Sequence, residues 1–437
     1  MKSLDGHLSE IYSGGWPVIQ WKILAFYNIY LSLLINAIWA IPAVLLLRCL
    51  RHWRIIRFGK IISSRIGPFT NDGAYLWVMS QQQSKMYLDL YWFDQPICND
   101  FWAMMVLQNF HVYSWVRFLD RWNQILPGGV MHHYPFNTCI SAFLNIHGWP
   151  EETQAKLPFH SEDDARAKDW LRQQGWHDEE LFVCLLVRDS AYLDSTNYLN
   201  ITPPPLSDGG IQYQSKHGYG WKHEDYRDSD IATYVPAAEW LANQGVWVLR
   251  MGKVVEKPIP CSHPRVIDYA FHPDRSDFMD VWLFAHCDLC ISTGTGPDNI
   301  SDIYSRPILF LNFIPLQRLT RWSDAMHVPK TLVWQTSGIP LNCREYLNNN
   351  YSFTYQYDNN GIKIIDLTSE EILATVQERW QRLQGTWVDT EDDLKRYHKF
   401  LEIFKSDPEF QKCHVWIHPQ CRVGATWLRS MGDVFLD

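Results

Sequence analysis

The sequence has no cysteine pattern typical of a disulfide scaffold or a metal site. Its ten cysteines are scattered over 437 residues, and only Cys287 and Cys290 lie close together. We predict that both lie in one strand, where an offset of three residues places them on opposite faces. A zinc site would also need further ligands at suitable spacing, so we expect no bound metal. Scattered thiols of this kind are typical of core residues in a reducing cytoplasm.

The sequence also lacks an excess of positive charge, internal repeats and segments typical of disorder. Its formal net charge is −9, which argues against a nucleic-acid-binding face. Hydrophobic residues make up 46% of the chain and charged residues 20%, a composition typical of globular proteins. The length is sufficient for two domains with substantial cores.

Charged residues are absent from residues 23–47, a segment about as long as a helix that crosses a bilayer. It is too long for the apolar part of a signal peptide and lacks a clear cleavage site. Residues 48–65 carry six basic residues and no acidic residue, so the positive-inside rule predicts that the rest of the chain is cytoplasmic. Asn28, Ser32 and Asn36 form a polar stripe, which also fits a helix lying in the membrane interface. A buried helix of a soluble protein is the third interpretation.

Residues 281–315 form the stretch around which the chain is organised. We predict a helix that ends at residue 286, a buried strand over 287–291, a loop of small residues, and a second helix and strand. Together they make a βαβ unit. The backbone N–H groups and hydroxyls of the loop, with the helix N-terminus at Pro297, would surround a phosphate or another anion. A tight turn without a ligand is the alternative. The loop residues are Ser292, Thr293, Gly294, Thr295 and Gly296.

Two further buried strands are predicted to end in arginine. Arg188 follows the apolar residues 181–187, and Arg250 ends residues 246–250 and is followed closely by Gly252. A buried arginine is costly unless it is paired or faces a ligand, and its planar guanidinium binds phosphate through two hydrogen bonds. Arg188 therefore predicts either a ligand contact or a structural pair with an aspartate.

Residues 226–230 precede a predicted helix over 231–243. Arg227 is a candidate for contacting a phosphate or an acidic sugar, and Asp230 or Ser229 is expected to cap the helix. The spacing of Asp228 and Asp230 also matches a metal-binding motif. We reject that interpretation, because the capping role explains Asp230 without a metal.

Three blocks of the sequence resemble a family of bacterial glycosyltransferases found with surface-polysaccharide genes. The blocks are residues 64–76, 181–251 and 288–316. They carry Arg-Ile-Gly at 65–67, Val-Arg-Asp at 187–189, Tyr-Arg-Asp-Ser-Asp at 226–230 and Ser-Thr-Gly-Thr-Gly-Pro-Asp at 292–298. The resemblance implies an α/β protein of GT-B-like fold, in which two Rossmann-like domains face a cleft. Here we expect an N-terminal membrane helix to precede them.

The resemblance also implies where the acceptor binds. In GT-B enzymes the N-terminal domain generally holds the acceptor, which makes Arg65, Gly67 and Asn71 acceptor-side candidates. Pro68 stands where the family usually has histidine, so no general base is expected at that position. A structural turn is the alternative role for this block.

The donor side is expected in the second domain. Asp189, Asp194 and Asp230 are the options for a catalytic base, and each is also placed to pair with a nearby arginine. The residues expected to bind the donor are Arg188, Tyr226, Arg227, Arg250, Gly252, Ser292, Thr293, Gly294, Thr295, Gly296 and Asp298.

The predicted domain layout has five parts. They are an N-terminal segment with the membrane helix (1–54), an acceptor-side Rossmann-like domain (55–150), a linker and helix (151–175), a nucleotide-sugar domain (176–388) and a C-terminal tail (389–437).

The leading hypothesis is a membrane-associated, metal-independent glycosyltransferase on the cytoplasmic side of the bacterial inner membrane. It would use a nucleotide-activated sugar as a substrate, without a cofactor, and a surface polysaccharide or a lipid-linked glycan as acceptor. One alternative is a GT-B-fold nucleotide-sugar epimerase, which needs no membrane helix. The other is a non-catalytic nucleotide-sugar-binding component of a polysaccharide assembly complex, which needs no base.

Overall fold

A computed structural model describes most of the chain. The start of the predicted linker, residues 151–155, lies outside the described residues, and so does the side chain of Asp194. The described residues are 16, 19–20, 23, 27–82, 86–134, 156–195, 225–319, 323–408, 410 and 417–437.

The first domain is a small α/β unit around two parallel strands. Its elements are α1 (Ser32–Cys49), β1 (Ile55–Ile61), α2 (Ile66–Gln82), β2 (Tyr87–Phe93), α3 (Asp100–Asn109) and α4 (Val116–Ile125). The two strands pair along their whole length. Single bridges, Phe58 with His133 and Tyr91 with Val112, extend the pairing on either side. Most of β1 is buried, which explains its nearly continuous apolar sequence.

Helix α1 packs against the first domain along one side. The indole N–H of Trp122 in α4 donates to the carbonyl of Leu33 at 3.2 Å. Near the other end of the helix, the Arg48 guanidinium donates to the carbonyl of Asn123 at 2.9 Å. The segment Ser32–His52 has a mean hydropathy of 2.1 and is long and apolar enough to cross a membrane. The predicted apolar helix is therefore present. Its buried residues are Leu33, Ala40 and Val44.

The second domain is built on a seven-stranded sheet in which all neighbours pair in parallel. In spatial order the strands are β11 (Arg422–Val423), β8 (Ala325–Val328), β7 (Ile308–Leu311), β6 (Leu289–Ser292), β3 (Phe182–Leu186), β4 (Trp247–Arg250) and β5 (Val266–Ile267). The chain runs outward from β3 to β5, returns to the centre, and runs outward from β6 to β8. The strand order therefore reverses between β3 and β6, at the type of position where open α/β sheets bind ligands.

Alternate residues of β3 enter two separate cores, one on each face of this sheet. Val183 and Leu185 belong to one core, and Phe182, Cys184 and Leu186 belong to the other. An antiparallel pair, β9 (Thr331–Trp334) with β10 (Ile362–Ile365), lies outside the main sheet. The helices of this domain are α5 (Ser161–Gln173), α6 (Ala191–Ser195), α7 (Val235–Asn243), α8 (Asp277–His286), α9 (Asp298–Ile303), α10 (Cys343–Asn348), α11 (Thr354–Asn359), α12 (Ser369–Leu383), α13 (Glu391–Ser406) and α14 (Ala425–Met431).

The strand placement of Cys287 is wrong by two residues. Cys287 follows the last residue of α8, and β6 begins only at Leu289. Cys287 and Cys290 are nevertheless both buried, and neither is bonded to another cysteine. Their surroundings are those of core thiols.

The C-terminal residues, expected as a separate tail, are part of the second domain. Strand β11 extends the main sheet beside β8. The buried carboxylate of Glu378 in α12 accepts the backbone N–H groups of Ala425 at 2.9 Å and Thr426 at 2.8 Å, in the first turn of α14. The predicted boundary at residue 388 therefore does not coincide with the edge of the domain.

The two domains share an apolar core. Phe101 of α3 packs edge-on against Phe278 of α8, with ring centroids 4.9 Å apart. The start of α2 also touches the start of α9, since a Cβ atom added to Gly296 would lie 2.8 Å from the backbone nitrogen of Gly67. These glycines follow the carboxyl ends of β1 and β6, so the two sheets present their carboxyl ends to each other.

The mixed α/β class and the large parallel sheet are confirmed. The finer expectation of two Rossmann-like domains facing a cleft stays a prediction. The described part of the first domain has two paired strands, which is too few to define a Rossmann-like sheet.

Candidate functional site

Hydrogen bonds hold together the carboxyl ends of β3 and β6 at the switch point. The backbone N–H of Arg188 donates to the Thr293 hydroxyl at 3.0 Å. The N–H of Thr293 in turn donates to the carbonyl of Leu186 at 3.2 Å. Arg188 and the loop 292–296, predicted from separate motifs, are therefore direct neighbours.

Arg188 lies in an ion pair at this edge of the sheet. Its Nε lies 2.9 Å from Oδ1 of Asp228, and its carbonyl accepts the N–H of Ser229 at 3.0 Å. Burial raises the pKa of Asp228 to about 6, although the charge of Arg188 acts in the opposite direction. The structural arginine–aspartate pair is thus present, and a ligand phosphate at Arg188 would have to share it with Asp228.

Lys330 is a second buried cation beside Asp228, and the donor-site prediction missed it. Its Nζ lies 2.7 Å from Oδ1 of Asp366 and donates to the carbonyl of Asp228 at 2.5 Å. Burial lowers the pKa of Lys330, and Asp366 opposes the shift. Lys330 follows β8 by two residues, so it repeats the pattern that identified Arg188. That pattern is the signal by which the sequence analysis could have found it.

The loop 292–296 is not the open anion cradle that the sequence predicts. The Asp298 carboxylate accepts from the Ser292 hydroxyl at 2.6 Å and from the N–H of Thr295 at 2.7 Å. The N–H of Gly294 donates to the Ser292 hydroxyl at 3.0 Å. Burial raises the pKa of Asp298 to about 6, while these hydrogen bonds lower it. The loop therefore holds a carboxylate of its own chain, and a phosphate would have to displace it.

Arg227 and Tyr226 are adjacent in sequence and have different surroundings. The Arg227 guanidinium donates to the carbonyl of Gly294, so it lies against the loop, while its predicted contact with a phosphate or an acidic sugar stays a prediction. Tyr226 is buried in the core, where its ring lies 5.6 Å from that of Tyr357. The structure therefore brings Arg227 to the site and gives Tyr226 a packing role.

Arg250 was expected to contact the donor, but its side chain is turned inward. It is fully buried, with Nη1 3.4 Å from Oδ1 of Asp268 and Nη2 donating to the carbonyl of Lys257 at 3.1 Å. The segment after β4 folds over it, and this segment starts at Gly252. The φ of Gly252 is +150°, and a Cβ atom there would lie 2.5 Å from the Val255 side chain. The positive φ and this close approach together favour glycine at the turn without any contact to a ligand.

Asp189 and Asp230, two of the three candidate bases, bind backbone groups. Asp189 accepts the N–H of Ala191 at 3.1 Å and the N–H of Glu256 at 2.9 Å. Asp230 accepts the N–H of Ala232 at 2.9 Å, which confirms the predicted helix cap. These bonds orient both carboxylates but occupy oxygens that a base would need.

A pocket of about 370 Å³ opens beside this cluster. It holds five carboxylates and one ammonium group, so its walls suit the hydroxyl groups of a sugar or ribose better than phosphate oxygens. The ammonium of Lys257 lies 2.7 Å from Oδ1 of Asp230 and lowers the pKa of that carboxyl. Over the part of the chain that the structure describes, no group of three acidic, histidine or cysteine residues is placed to hold a metal ion. The charged lining residues are Asp189, Asp228, Asp230, Glu256, Lys257 and Asp366.

The predicted acceptor-side residues lie at the start of α2. Arg65 is exposed just before the helix, and its charge opposes the burial that raises the pKa of Tyr192 in the second domain. Gly67 is buried against Gly296, and Asn71 lies half-buried in the second turn. Gly67 is therefore the point at which the acceptor-side and donor-side predictions meet.

The buried carboxyls at the site predict an unusual dependence of stability on pH. Burial raises the pKa of Asp228 and of Asp298 to about 6, above the unfolded value. Between pH of about 4 and about 6 the folded state therefore binds more protons than the unfolded state, and raising the pH lowers the free energy of unfolding. Two pKa units on one buried group correspond to about 3 kcal/mol. Urea unfolding of the protein and of Asp298→Asn across this range should give a flatter slope for the variant. An unchanged slope would contradict a raised pKa of Asp298 in the folded protein.

Comparisons with known proteins give weak likenesses only. No family model and no curated protein sequence matches the chain. A family 9 glycosyltransferase from Veillonella parvula has 9% identity and a TM-score of 0.37, over 63% of this chain and 85% of that one. E. coli ADP-heptose lipopolysaccharide heptosyltransferase II has 10% identity and a TM-score of 0.39, over 75% and 98% of the two chains.

A third solved structure, an E. coli heptosyltransferase with ADP, has 11% identity and a TM-score of 0.27, over 62% of this chain and 90% of that one. The chain is thus similar to glycosyltransferases of known structure. TM-scores this low do not indicate a shared function, so the site itself is the basis for a functional proposal.

Proposed function

We propose that the protein is a membrane-associated, metal-independent glycosyltransferase. It takes a glycosyl group from a nucleotide-activated sugar and transfers it to a surface polysaccharide or a lipid-linked glycan. The nucleotide-sugar donor binds at the carboxyl edge of the seven-stranded sheet, and the acceptor approaches from the first domain.

The observation that carries this proposal is the position of the charged cluster at the switch point. The strand order of the second domain reverses between β3 and β6, as in dinucleotide-binding sheets. Arg188 and Thr293 meet there, and the pocket opens beside them. This is the region of such a sheet where a nucleotide finds both a crevice and exposed ends of strands.

The polar groups divide into two sets that match the two parts of a nucleotide sugar. Arg188, Arg227 and Lys330 supply positive charge where a diphosphate would lie. Such charge stabilises a leaving phosphate most in a site with little water, as in the half-buried to buried surroundings of these cations. The carboxylates of the pocket accept hydrogen bonds from hydroxyl groups of the ribose or the sugar. The options for the base stay Asp189, Asp194 and Asp230.

Binding of the donor is the direct test. Purified protein in mild detergent is heated with UDP-, GDP-, ADP-, CMP- and dTDP-sugars in turn. One nucleotide class is expected to stabilise it by about 2.7 kcal/mol when present at about a hundred times its dissociation constant. A folded protein that none of these sugars stabilises would contradict the proposal.

Turnover separates the proposal from its two alternatives. A glycosyltransferase releases the nucleotide and forms a glycosidic bond to an added membrane-glycan extract. An epimerase changes the sugar without needing that extract. A binding component is stabilised against unfolding by the donor but leaves the donor intact over many hours.

A further inference from the structure

Helix α1 exposes an uninterrupted apolar stripe that nothing in the described chain covers. The outward positions recur every three or four residues, so they follow one face of the helix along its whole length. Ile38, at the centre of this face, is 83% exposed. We call this surface the outward stripe. Its residues are Leu31, Leu34, Ile35, Ile38, Trp39, Pro42, Leu45, Leu46 and Cys49.

The opposite side of α1 is fixed to the domain near both ends. Trp122 binds the carbonyl of Leu33, and Arg48 binds the carbonyls of Asn123 and Pro127, the latter at 2.7 Å. The two anchors are 15 positions apart, or about 22 Å of helix, and both join α1 to neighbouring residues of α4, so α4 lies against α1 between them. To cross a bilayer in this arrangement, α1 would carry α4 into the hydrocarbon.

Helix α4 is unsuited to hydrocarbon because it carries charge. Asp120 is buried in the domain and accepts the indole N–H of Trp92 at 2.9 Å. Arg117 is exposed, and Arg121 interacts electrostatically with Tyr30, near the start of α1. Charged side chains at the centre of a bilayer are costly, so these residues argue against a span.

Positive charge flanks the outward stripe at both ends. Arg121 interacts with Tyr30 near its beginning, Arg117 lies one turn away on α4, and Arg51 and Arg54 follow its end. None of these four arginines forms an ion pair with a residue that the structure describes. The positive-inside rule favours cations on one side of a spanning helix, whereas a helix lying flat meets headgroups along its full length.

The charge of the whole first domain supports the same orientation. Residues 27–134 contain nine Lys and Arg but five Asp and no Glu, a net charge of +4. Since the chain as a whole carries −9, the remaining residues carry −13. An anionic surface therefore attracts the first domain and repels the second.

We propose that α1 lies flat in the surface of an anionic phospholipid membrane, with the outward stripe among the acyl chains and the four arginines at the headgroups. This inference rests on the membrane association in the proposed function and specifies its geometry. The first domain is then the membrane-facing side of the molecule, and the seven-stranded sheet faces the cytoplasm.

Vesicle flotation tests the surface. The detergent-free protein is mixed with vesicles of phosphatidylcholine, with or without phosphatidylglycerol. Binding is expected with phosphatidylglycerol, and the double variant Ile38→Asp/Leu46→Asp should weaken it by about 100-fold, because two apolar side chains lose their burial. Val388→Asp is the matched control, since Val388 is 82% exposed but lies far along the chain in the second domain. Equal binding of all three proteins would overturn the proposal.

Two further outcomes have distinct meanings. If the folded protein does not bind vesicles but forms a dimer that the double variant dissociates, the stripe is covered by a second copy and the proposal is overturned. Donor stabilisation in the same preparation would then leave the glycosyltransferase proposal intact. Failure of donor binding with normal vesicle binding would overturn the proposed function and leave the membrane surface standing.

Cysteine labelling distinguishes a flat helix from a span. Trp16→Cys places a thiol before the apolar segment, and Val388→Cys marks the side of the second domain. In intact spheroplasts, a membrane-impermeant maleimide should label neither new thiol beyond the background of the wild-type protein, and lysis should expose both. Labelling of Trp16→Cys alone in intact spheroplasts would show a span and overturn the flat geometry.

Discussion

Replacing Arg188 with methionine is expected to lower donor turnover by about 100- to 1000-fold, the usual effect of removing one group that stabilises developing charge. Arg188 lies at the switch point between β3 and β6, where the diphosphate is proposed to bind. Its side chain is only 11% exposed, so in the variant little water can enter to stabilise the phosphate charge in place of the guanidinium. The measurement is the steady-state rate of nucleotide release with the donor class identified by thermal stabilisation.

Because Arg188 also forms an ion pair with Asp228, the single variant can lose activity through lower stability. A second variant separates the two effects. Arg188→Met alone leaves Asp228 half-buried without its partner, which lowers stability as well as activity. Arg188→Met/Asp228→Asn removes both charges. If Arg188 serves only as a structural partner, the double variant regains both stability and turnover, and the proposed role is wrong. If Arg188 binds the donor, stability returns but turnover stays far below that of Asp228→Asn alone, which measures what the loss of the Asp228 carboxylate contributes. Arg172→Met, at an exposed ion pair on α5, is the control and should leave turnover unchanged.

Replacing Glu378 with alanine is expected to lower the free energy of unfolding by about 3–5 kcal/mol, the usual cost of breaking a buried charge network. The Glu378 side chain is fully buried and lies 3.0 Å from the Arg382 guanidinium. It also accepts the N–H groups of Ala425 and Thr426. The variant leaves these donors without a partner and releases α14 from α12. Urea unfolding gives the energy, and limited proteolysis should show earlier cleavage after residue 406.

Two further substitutions give reference values for the loss of stability in Glu378→Ala. Glu402→Ala changes an exposed glutamate on α13 and should alter stability by less than about 0.5 kcal/mol. Glu378→Gln keeps one acceptor oxygen, whereas the carboxylate accepts the N–H of Ala425 at Oε1 and that of Thr426 at Oε2, so its effect should lie between those of the two alanine variants. A loss of less than about 1 kcal/mol in Glu378→Ala would mean that the carboxylate does not hold the C-terminal segment in place.

Sequence patterns located the switch point because they combine two independent signals. A buried strand appears as an apolar run, and a polar residue at its end marks the carboxyl edge of the sheet. This reasoning placed Arg188 and the loop 292–296 in a single site, and their contact through Thr293 is present. The same reasoning applies to Lys330, which follows β8 by two residues and was not among the predicted site residues.

Other features depend on three-dimensional contacts that sequence spacing does not encode. A loop rich in N–H donors has the same sequence whether it holds a phosphate or the nearby carboxylate of Asp298. Arg250 has the same pattern as Arg188, yet the segment after β4 turns it inward. Strand β11 is two residues long, which is too short for any periodicity, so its place in the sheet could not be predicted. In α1, the polar residues Ser32, Asn36 and Arg48 lie off the outward stripe, so the orientation of this helix is not the one that a polar stripe facing the solvent would predict.

The contact between Gly67 and Gly296 has a consequence for the coupling between the two parts of the proposed site. A Cβ atom on Gly296 would lie 2.8 Å from the nitrogen of Gly67, and one on Gly67 would lie 3.1 Å from the Cα of Gly296, so the two backbones are packed closely and neither position has room for a side chain. Any ligand that shifts the loop 292–296 must therefore displace α2 or separate the contact. Thermodynamic reciprocity then requires that an acceptor held by α2 alters donor affinity by the same factor as the donor alters acceptor affinity. The coupling between donor and acceptor affinity would then pass through two residues that have no side chains.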